Sequence, residues 1–324
     1  MTGKLAVVFG GSGFVGRNLV RELAKRGWRV RVAVRRPHHA QFLRPMGAVG
    51  QIHLAQANVR HRGSVVEALK GADAVVNLVG ILAASGSQNF DAVQAAGAAT
   101  VAEVAAAEGV QTFVQMSAIG ADSASDSQYA RTKAEGEAAV RRLLPEATIV
   151  RPSIVFGPED EFFNRFAAMA SMAPALPLIG GGRTRFQPVY VDDVADAICE
   201  ALVRPEARGK IYELGGPTVY SFRQLLELML QETGQRRFLA PIPFAIAPAV
   251  GLVGEAMGFL PFLDAPITRD QVKLLKSDNV VGGTGDSAIG TIEDLGIEPT
   301  AVEAILPGYM VMYRKYGQFT EEAA

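Results

Sequence analysis

The sequence predicts an α/β fold with a doubly wound parallel sheet and a smaller C-terminal α/β lobe. Three observations support this prediction. A buried strand at Leu5 to Phe9 leads into a glycine-rich turn and an amphipathic helix that ends near Gly27. Apolar strands and helical segments then alternate at the length of βαβ units. The chain has 324 residues, which is enough for one large domain and a smaller appendage.

The turn after the first strand has the spacing Gly-x-x-Gly-x-x-Gly at Gly10, Gly13 and Gly16. Such a turn lets the backbone approach a pyrophosphate, and the following helix directs its N-terminal N–H groups at that anion. A strand before the turn and a helix after it are the context that this motif requires. The sequence therefore predicts a Rossmann-type dinucleotide site, whose turn also includes Ser12, Phe14 and Val15.

The second predicted strand, from Val30 to Val34, is followed directly by Arg35 and Arg36. Sites for NAD usually place a carboxylate there on the ribose, whereas an arginine accommodates the 2′-phosphate of NADP. No acidic residue lies between Gly27 and Gly63, and Arg17 can approach the same phosphate from the first helix. These residues favour NADP(H) over NAD(H).

Further βα units complete the predicted sheet. Asn58 follows the third strand, where a polar side chain can reach an adenine edge, and Gly80 ends the fourth strand on the cofactor side. Ser117 follows the fifth strand. The predicted strands are 49–54, 74–80 and 113–116, and a helix is predicted over 91–108.

Four residues have the spacing or position of helix N-caps. Ser64 with Glu67 and Ser221 with Gln224 have the capping-box spacing. Asp193 is expected to cap a helix that begins at Val194, and Thr268 to begin a later one.

Tyr129 and Lys133 lie four residues apart in a predicted helix that continues to about Leu144. This spacing puts both side chains on one helical face. An ammonium group near a phenol stabilises tyrosinate and can also bind ribose hydroxyls. The pair is therefore a candidate for proton transfer.

The composition narrows the class of function. The formal net charge is −1 and 49% of the residues are hydrophobic, which indicates a globular protein without the charge of a nucleic-acid binder. The single cysteine, Cys199, lies in an apolar stretch and is expected to be buried. The four histidines have no metal-site spacing, so no metal is expected. No secretory signal precedes the first strand, and a cytoplasmic location is expected.

An apolar segment at 238–263 follows Arg236 and Arg237. Several prolines and a glutamate make it a poor membrane-spanning helix. A contact with a membrane surface, a groove on a partner and a hydrophobic lid on the second domain all remain open for it. We expect a core at 1–157 and a C-terminal lobe at 158–324, with a strand and a helix near 185–203 returning to the core.

The chain resembles the extended short-chain dehydrogenase/reductases. The resemblance rests on the glycine turn, the Tyr129/Lys133 pair and three further stretches, Arg151 to Pro158, Val189 to Ala195 and Tyr212 to Gly216. More narrowly, it resembles an atypical branch that contains the NADPH-binding accessory subunit of respiratory complex I and its bacterial relatives. The most specific matches are 56–60, 162–166, 185–190 and 268–273.

The resemblance implies roles for individual residues. Arg17 and Arg35 would hold the phosphates together with the glycines of the turn. Tyr129 and Lys133 would contact the nicotinamide ribose. Asn58 and Val59 would flank the adenine. Val79 and Gly80 would lie beside the dinucleotide, and Pro152 and Ile154 would border the nicotinamide.

One position departs from the family pattern. Active members carry a serine or threonine near the end of the fifth strand. In this chain Ala118 matches that position, and Ser117, one residue earlier, is the third catalytic candidate that the resemblance implies. The resemblance therefore implies an accessory subunit on the peripheral arm of complex I, at the cytoplasmic face of the inner membrane, with NADP(H) as a stabilising ligand. The alternative is a catalytic NADPH-dependent reductase acting on a quinone-like or isoprenoid carbonyl. A sugar-nucleotide epimerase is less favoured, because Arg35 stands where such enzymes carry an acid.

Overall fold

A computed structural model describes residues 3–82, 89–247, 249, 268–283, 285–315 and 317–319. The chain divides into two compact units. The first comprises Met1–Pro152, Val191–Leu214 and Thr284–Glu298, and the second comprises Ser153–Tyr190, Gly215–Gly283 and Pro299–Ala324. The sequence predicts a boundary at residue 157 and a return to the core near 185–203, whereas the first unit ends at Pro152 and regains 191–214 and 284–298.

Strands and helices are labelled in chain order. The strands are β1 Leu5–Phe9, β2 Arg29–Val34, β3 Ile52–Gln56, β4 Ala74–Asn77, β5 Thr112–Met116, β6 Thr148–Pro152, β7 Val155–Phe156, β8 Ala175–Ile179, β9 Arg185–Phe186, β10 Val189–Tyr190, β11 Ile211–Leu214, β12 Tyr220–Ser221, β13 Phe238–Ile242 and β14 Gly290–Thr291. The α-helices are α1 Phe14–Lys25, α2 Arg62–Leu69, α3 Ala96–Ala107, α4 Gln128–Leu143, α5 Phe163–Met172, α6 Val191–Val203, α7 Phe222–Thr233, α8 Arg269–Leu274 and α9 Val302–Met310.

The first unit contains an eight-stranded sheet in the order β14-β11-β6-β5-β4-β1-β2-β3. All its strand pairs are parallel. The chain runs from β1 outward to one edge and then from β4 outward to the other, which is the doubly wound arrangement. The structure confirms the predicted α/β fold.

Helices cover this sheet because its strands are buried on both faces. Every residue of β1 is buried. Val7 and Phe9 belong to a core cluster that also holds apolar residues of α2, α3 and α4. On the other face, Val8 and Val32 lie close to Val20 of α1, and α1 packs against α6. The expected burial of Cys199, in α6, is confirmed.

The second unit has its own aromatic core. Phe163 and Phe166 of α5 are buried, and Phe162 packs against both of them and against Phe222 of α7. These phenylalanines are therefore core residues. Three two-stranded pairs accompany the helices: β10 with β7, β12 with β9 and β13 with β8.

A buried carboxylate joins two helices of the second unit. Asp160 accepts hydrogen bonds from the N–H groups of Phe162, Phe163 and Asn164 at the start of α5. The Tyr309 hydroxyl of α9 donates to the same carboxylate at 2.6 Å. Charged carboxylates are stabilised at helix N-termini, so Asp160 fixes α5 and anchors α9 to it.

Two predicted caps are wrong and two are confirmed. Helix α2 begins at Arg62, so Ser64 lies inside it and its hydroxyl bonds the Asn58 and His61 carbonyls. Helix α6 begins at Val191, which places Asp193 in its first turn. Ser221 with Gln224 and Thr268 with Gln271 form capping boxes on α7 and α8.

Most of the apolar segment 238–263 lies outside the described residues, namely 248 and 250–263. Its described part begins with β13, which pairs with β8. Within the part of the chain that the structure describes, no helix is both long enough and apolar enough to cross a membrane.

Candidate functional site

The predicted site residues of the first unit gather at one edge of the sheet. The glycine turn follows β1, Arg35 and Arg36 follow β2, and Asn58 follows β3. Val79 and Gly80 lie beyond β4, Ser117 follows β5, and Pro152 ends β6. Because all these strands are parallel, their carboxyl ends share the edge at which open α/β sheets bind ligands. Ile154 lies in the second unit.

The glycine turn shows two different reasons for its glycines. Gly10 has a φ of +79°, which favours glycine. A Cβ on Gly16 would collide with the Gly10 carbonyl oxygen and lie 2.6 Å from the Gly11 Cα. Both residues are therefore required by the turn itself.

Gly13 is different, because among the described residues no atom lies close enough to exclude a side chain there. A Cβ there would come no closer than 3.4 Å to the protein, at the Gly10 carbonyl oxygen. Its φ of −77° suits any residue, and the residue is exposed. What a side chain would fill is the space in front of the turn, where a pyrophosphate binds in dinucleotide sites. The turn therefore fits a dinucleotide.

The start of α1 is suited to an anion. No side chain caps the helix at Gly13, and its first turn contains no acidic residue. The Arg17 guanidinium lies 3.3 Å from the carbonyl oxygens of Gly13 and Ser12 and 5.1 Å from the ring centroid of Phe42. The N-terminal N–H groups and this cation together favour bound phosphate.

The ends of β2 and β3 lie side by side. Val34 pairs with Gln56, and the Ala57 N–H donates to the Val34 carbonyl at 2.9 Å. Arg35 and Arg36 are exposed beside this pair. The Asn58 side chain accepts a hydrogen bond from the Arg60 N–H at 3.1 Å.

Val59 is buried, whereas its neighbour Asn58 is half-buried. A Cβ on Gly97 of α3 would lie 2.8 Å from the Val59 Cγ2. The valine therefore packs closely on α3, and the glycine permits that approach.

A buried amide pair supports the site, and the sequence reasoning missed it. The Asn77 amide donates to the Gln115 side-chain oxygen at 2.9 Å, and the Gln115 amide donates to the Met116 carbonyl at 2.9 Å. The Val79 N–H donates to Asn77 at 3.2 Å. Asn77 and Gln115 are 1% and 4% exposed. Two polar residues inside otherwise apolar strands were the available signal, because buried amides need partners.

Tyr129 and Lys133 lie together in the first turns of α4, as predicted. The Lys133 Nζ is 5.7 Å from the Tyr129 ring centroid and donates to the Met116 carbonyl at 3.4 Å. Burial lowers the pKa of Lys133 to about 8 and raises the pKa of Tyr129 to about 12. In the protein alone, desolvation therefore dominates the pKa of both groups.

Ser117 is held by continued strand pairing. Its N–H donates to the Val150 carbonyl of β6 at 2.7 Å, one residue beyond the end of β5. The side chain is 3% exposed, and its hydroxyl oxygen has no hydrogen-bond partner among the described residues. Position 118, where the family pattern has a serine or threonine, is alanine.

Other polar groups of the first unit are engaged in ion pairs. Arg151 of β6 donates to both carboxylate oxygens of Glu137 of α4, at 2.9 and 2.6 Å. In the described residues, no group of three or more histidine, cysteine, aspartate or glutamate side chains is placed to hold a metal ion. The Arg151–Glu137 pair thus joins β6 to α4.

Comparison with known proteins places the geometry in a family. The sequence profile described as "NAD dependent epimerase/dehydratase family" matches residues 6–215. The chain is 36% identical to "NADH dehydrogenase [ubiquinone] 1 alpha subcomplex subunit 9, mitochondrial" of Arabidopsis thaliana, over 98% of this chain and 80% of that protein. It is also 34% identical to "Ceramide reductase" of Caulobacter vibrioides, over 59% of this chain and 58% of that protein.

Solved structures share the fold at lower identity. One example is DesIV, a dTDP-glucose 4,6-dehydratase from Streptomyces venezuelae with NAD and TYD bound. It matches with a TM-score of 0.71 and 21% identity, over 95% of this chain and 96% of that one.

Proposed function

We infer that this chain is a nucleotide-binding accessory subunit of an NADH:quinone oxidoreductase. The chain belongs to the NAD dependent epimerase/dehydratase family and, within it, to the branch of complex I accessory subunits. The observation that carries the proposal is the 36% identity with the Arabidopsis subunit over 98% of this chain. Similarity of this extent includes both compact units. It is therefore not a likeness of the dinucleotide fold alone.

The bound nucleotide is NADP(H), held as a stabilising ligand. Arg35 and Arg36 follow β2, where an NAD site has a carboxylate, and Arg17 stands beside the turn. A ligand that binds only the folded state stabilises it by mass action, so the nucleotide contributes without turnover. Gly10, Gly13 and Gly16 hold the pyrophosphate, and Asn58, Val59, Val79 and Gly80 follow the adenosine half toward the nicotinamide.

Two features support a binding role over a catalytic one. The phenol of Tyr129 has its pKa raised to about 12, which opposes proton transfer near neutral pH. The family position for the strand-end hydroxyl is Ala118, and the neighbouring Ser117 hydroxyl is buried. Tyr129 and Lys133 then act as contacts of the nicotinamide ribose, with Pro152 and Ile154 near the nicotinamide.

The chain docks on the peripheral arm of the complex, at the cytoplasmic face of the inner membrane. Separation of gently solubilised native membranes by size tests the assignment. We expect this chain to comigrate with the complex that oxidises NADH. Migration as a free monomer or dimer would overturn the proposal.

A catalytic reductase is the second candidate, and one observation favours it. The similarity to a ceramide reductase extends over 59% of this chain, and this chain contains the Tyr129/Lys133 pair. In this alternative Tyr129 donates the proton to a carbonyl substrate. The test of this alternative is NADPH oxidation by the purified chain with quinone-like, isoprenoid and ceramide-like carbonyl acceptors. If the chain is a reductase, Tyr129→Phe must abolish turnover.

A further inference from the structure

The positive charge of this chain is distributed very unevenly. Residues 28–62 contain seven arginines and all four histidines, but no lysine, aspartate or glutamate. Since the whole chain has a formal net charge of −1, the rest of it carries −8. A segregation of this size produces a local positive potential that attracts anionic partners.

The fold brings part of this charge together at the ligand-binding edge of the sheet. β2 and β3 are parallel neighbours, and the Ala57 N–H donates to the Val34 carbonyl at 2.9 Å. The segments that follow the two strands, residues 35–39 and 57–62, therefore lie side by side, and we call them the basic rim. Its exposed ionisable members are Arg35, Arg36, His38, His39, Arg60, His61 and Arg62.

The nucleotide does not account for all of this charge. A single 2′-phosphate carries at most two negative charges, and Arg17 and Arg35 already stand where it would bind. Arg60 and Arg62 are additional. Arg62 lies 3.3 Å from Glu103, but both side chains are 56% exposed, and ion pairs so exposed contribute little. The rim, which lies beyond β2 and β3 rather than at the pyrophosphate turn, thus carries positive charge in excess of the 2′-phosphate.

We propose that the basic rim is a docking surface for an acidic patch on a partner protein, next to the bound nucleotide. The inference rests on the proposed function, because an accessory subunit needs such a contact. The guanidinium groups of arginine pair bidentately with carboxylates, and arginine is enriched at protein interfaces. The rim contains no tryptophan, phenylalanine or leucine, the residues that membrane-surface segments bury at the lipid boundary. An acidic protein surface therefore fits better than lipid.

The test measures binding of the purified full chain to membrane vesicles from a strain that lacks it. These vesicles carry the NADH-oxidising complex. The rim variant is Arg60→Glu with Arg62→Glu, and the matched control is Arg141→Glu with Arg142→Glu, an exposed pair in the last turn of α4. Thermal unfolding and NADPH affinity of each variant check that the fold and the nucleotide site are intact.

We expect the wild-type chain to lose about tenfold in affinity between about 50 and about 200 mM KCl, because exposed charges are screened. The rim variant should bind about tenfold or more weakly at low salt, and the control should bind like the wild type. A second variant, Arg60→Gln with Arg62→Gln, should bind the membranes with an affinity between those of the rim variant and the wild type.

Three results would overturn the inference. Equal binding by the rim variant and the wild type, with slower NADPH association, means that the charge only steers the nucleotide and leaves the accessory role standing. Equal binding of the wild type to protein-free phosphatidylglycerol vesicles means that the partner is lipid. Absence of wild-type binding to the membranes removes the accessory role and the docking surface together.

Discussion

The two ends of the candidate site differ in how completely they are built. At the glycine turn, α1 begins without a side-chain cap or an acidic residue in its first turn, and a Cβ on Gly13 would meet no atom of the described residues closer than 3.4 Å. At the Tyr129 end, the phenol has its pKa raised by burial and the nearby Ser117 hydroxyl has no partner among the described residues. The backbone of the turn suits a dinucleotide, whereas at the other end burial opposes ionisation of the phenol.

This difference shows that binding and catalysis are separable in one fold. Nucleotide binding depends on backbone shape and positive charge, which the turn and its arginines supply. Proton transfer depends on a pKa near the working pH and on a correctly placed hydroxyl. The proposed role of the nucleotide as a structural ligand requires the first set of features and not the second.

The largest expected effect separates two glycines of the turn. Gly16→Ala places a Cβ 2.6 Å from the Gly11 Cα, and we expect it to lower the free energy of unfolding by about 2–4 kcal/mol. Gly13→Ala meets nothing closer than 3.4 Å. It should leave stability within about 1 kcal/mol but weaken NADPH binding about tenfold or more. Thermal unfolding and calorimetric titration measure both, and unchanged NADPH binding in Gly13→Ala would refute the assigned cradle.

Arg35→Glu tests whether the site prefers NADPH to NADH. We expect NADPH affinity to fall on the order of tenfold to a hundredfold, because a carboxylate would replace the cation beside the 2′-phosphate. NADH affinity should stay the same or improve, since a carboxylate there can bond the ribose hydroxyl. Arg29→Glu, an exposed reversal at the opposite end of β2, is the control. Equal losses for both nucleotides would argue against the 2′-phosphate contact.

The pH dependence of the free energy of unfolding tests the burial of Lys133 beside Tyr129. The pKa of Lys133 is lowered from 10.5 to about 8 by burial, so the unfolded chain binds more protons between those values and stability rises with pH there. Lys133→Met should remove this rise. Chemical denaturation between about pH 7.5 and about pH 9.5 measures it, below the range in which Tyr129 titrates. An unchanged slope in the variant would mean that another group is responsible.

The smallest expected effect concerns Ser117. Its buried hydroxyl oxygen has no partner among the described residues, and removal of an unsatisfied polar atom is neutral or favourable. Ser117→Ala should therefore leave the free energy of unfolding unchanged or raise it by up to about 1 kcal/mol. NADPH affinity should not change. Loss of a measurable reductase activity in this variant would instead favour the catalytic alternative.

The sequence was informative where local patterns determine structure. The turn at Gly10 to Gly16, the alternation of β and α elements and the capping box at Ser221 all depend on nearby residues, and the structure has each of them. Ser64 failed as a cap because α2 begins earlier, and its hydroxyl bonds the Asn58 carbonyl instead. A side chain that can bond more than one backbone group does not fix a helix start by itself.

Contacts distant in sequence were harder to predict. The Asn77–Gln115 pair joins residues 38 positions apart and depends on β4 and β5 being neighbours. The raised pKa of Tyr129 depends on burial in the folded unit, whereas the Tyr129/Lys133 spacing alone suggested the opposite direction. Helix spacing shows which side chains share a face, but desolvation is set by everything packed around them.

The most direct test of the central claim compares Tyr129→Phe with Arg35→Glu in the living cell. The amount of each variant that comigrates with the NADH-oxidising complex, in membranes separated by size, is the quantity to measure. If the nucleotide is a structural ligand, Tyr129→Phe assembles like the wild type and supports normal growth, while Arg35→Glu loses both assembly and growth. Equal damage to growth from both substitutions, with Tyr129→Phe still fully assembled, would contradict the account and show that the chain acts as an enzyme.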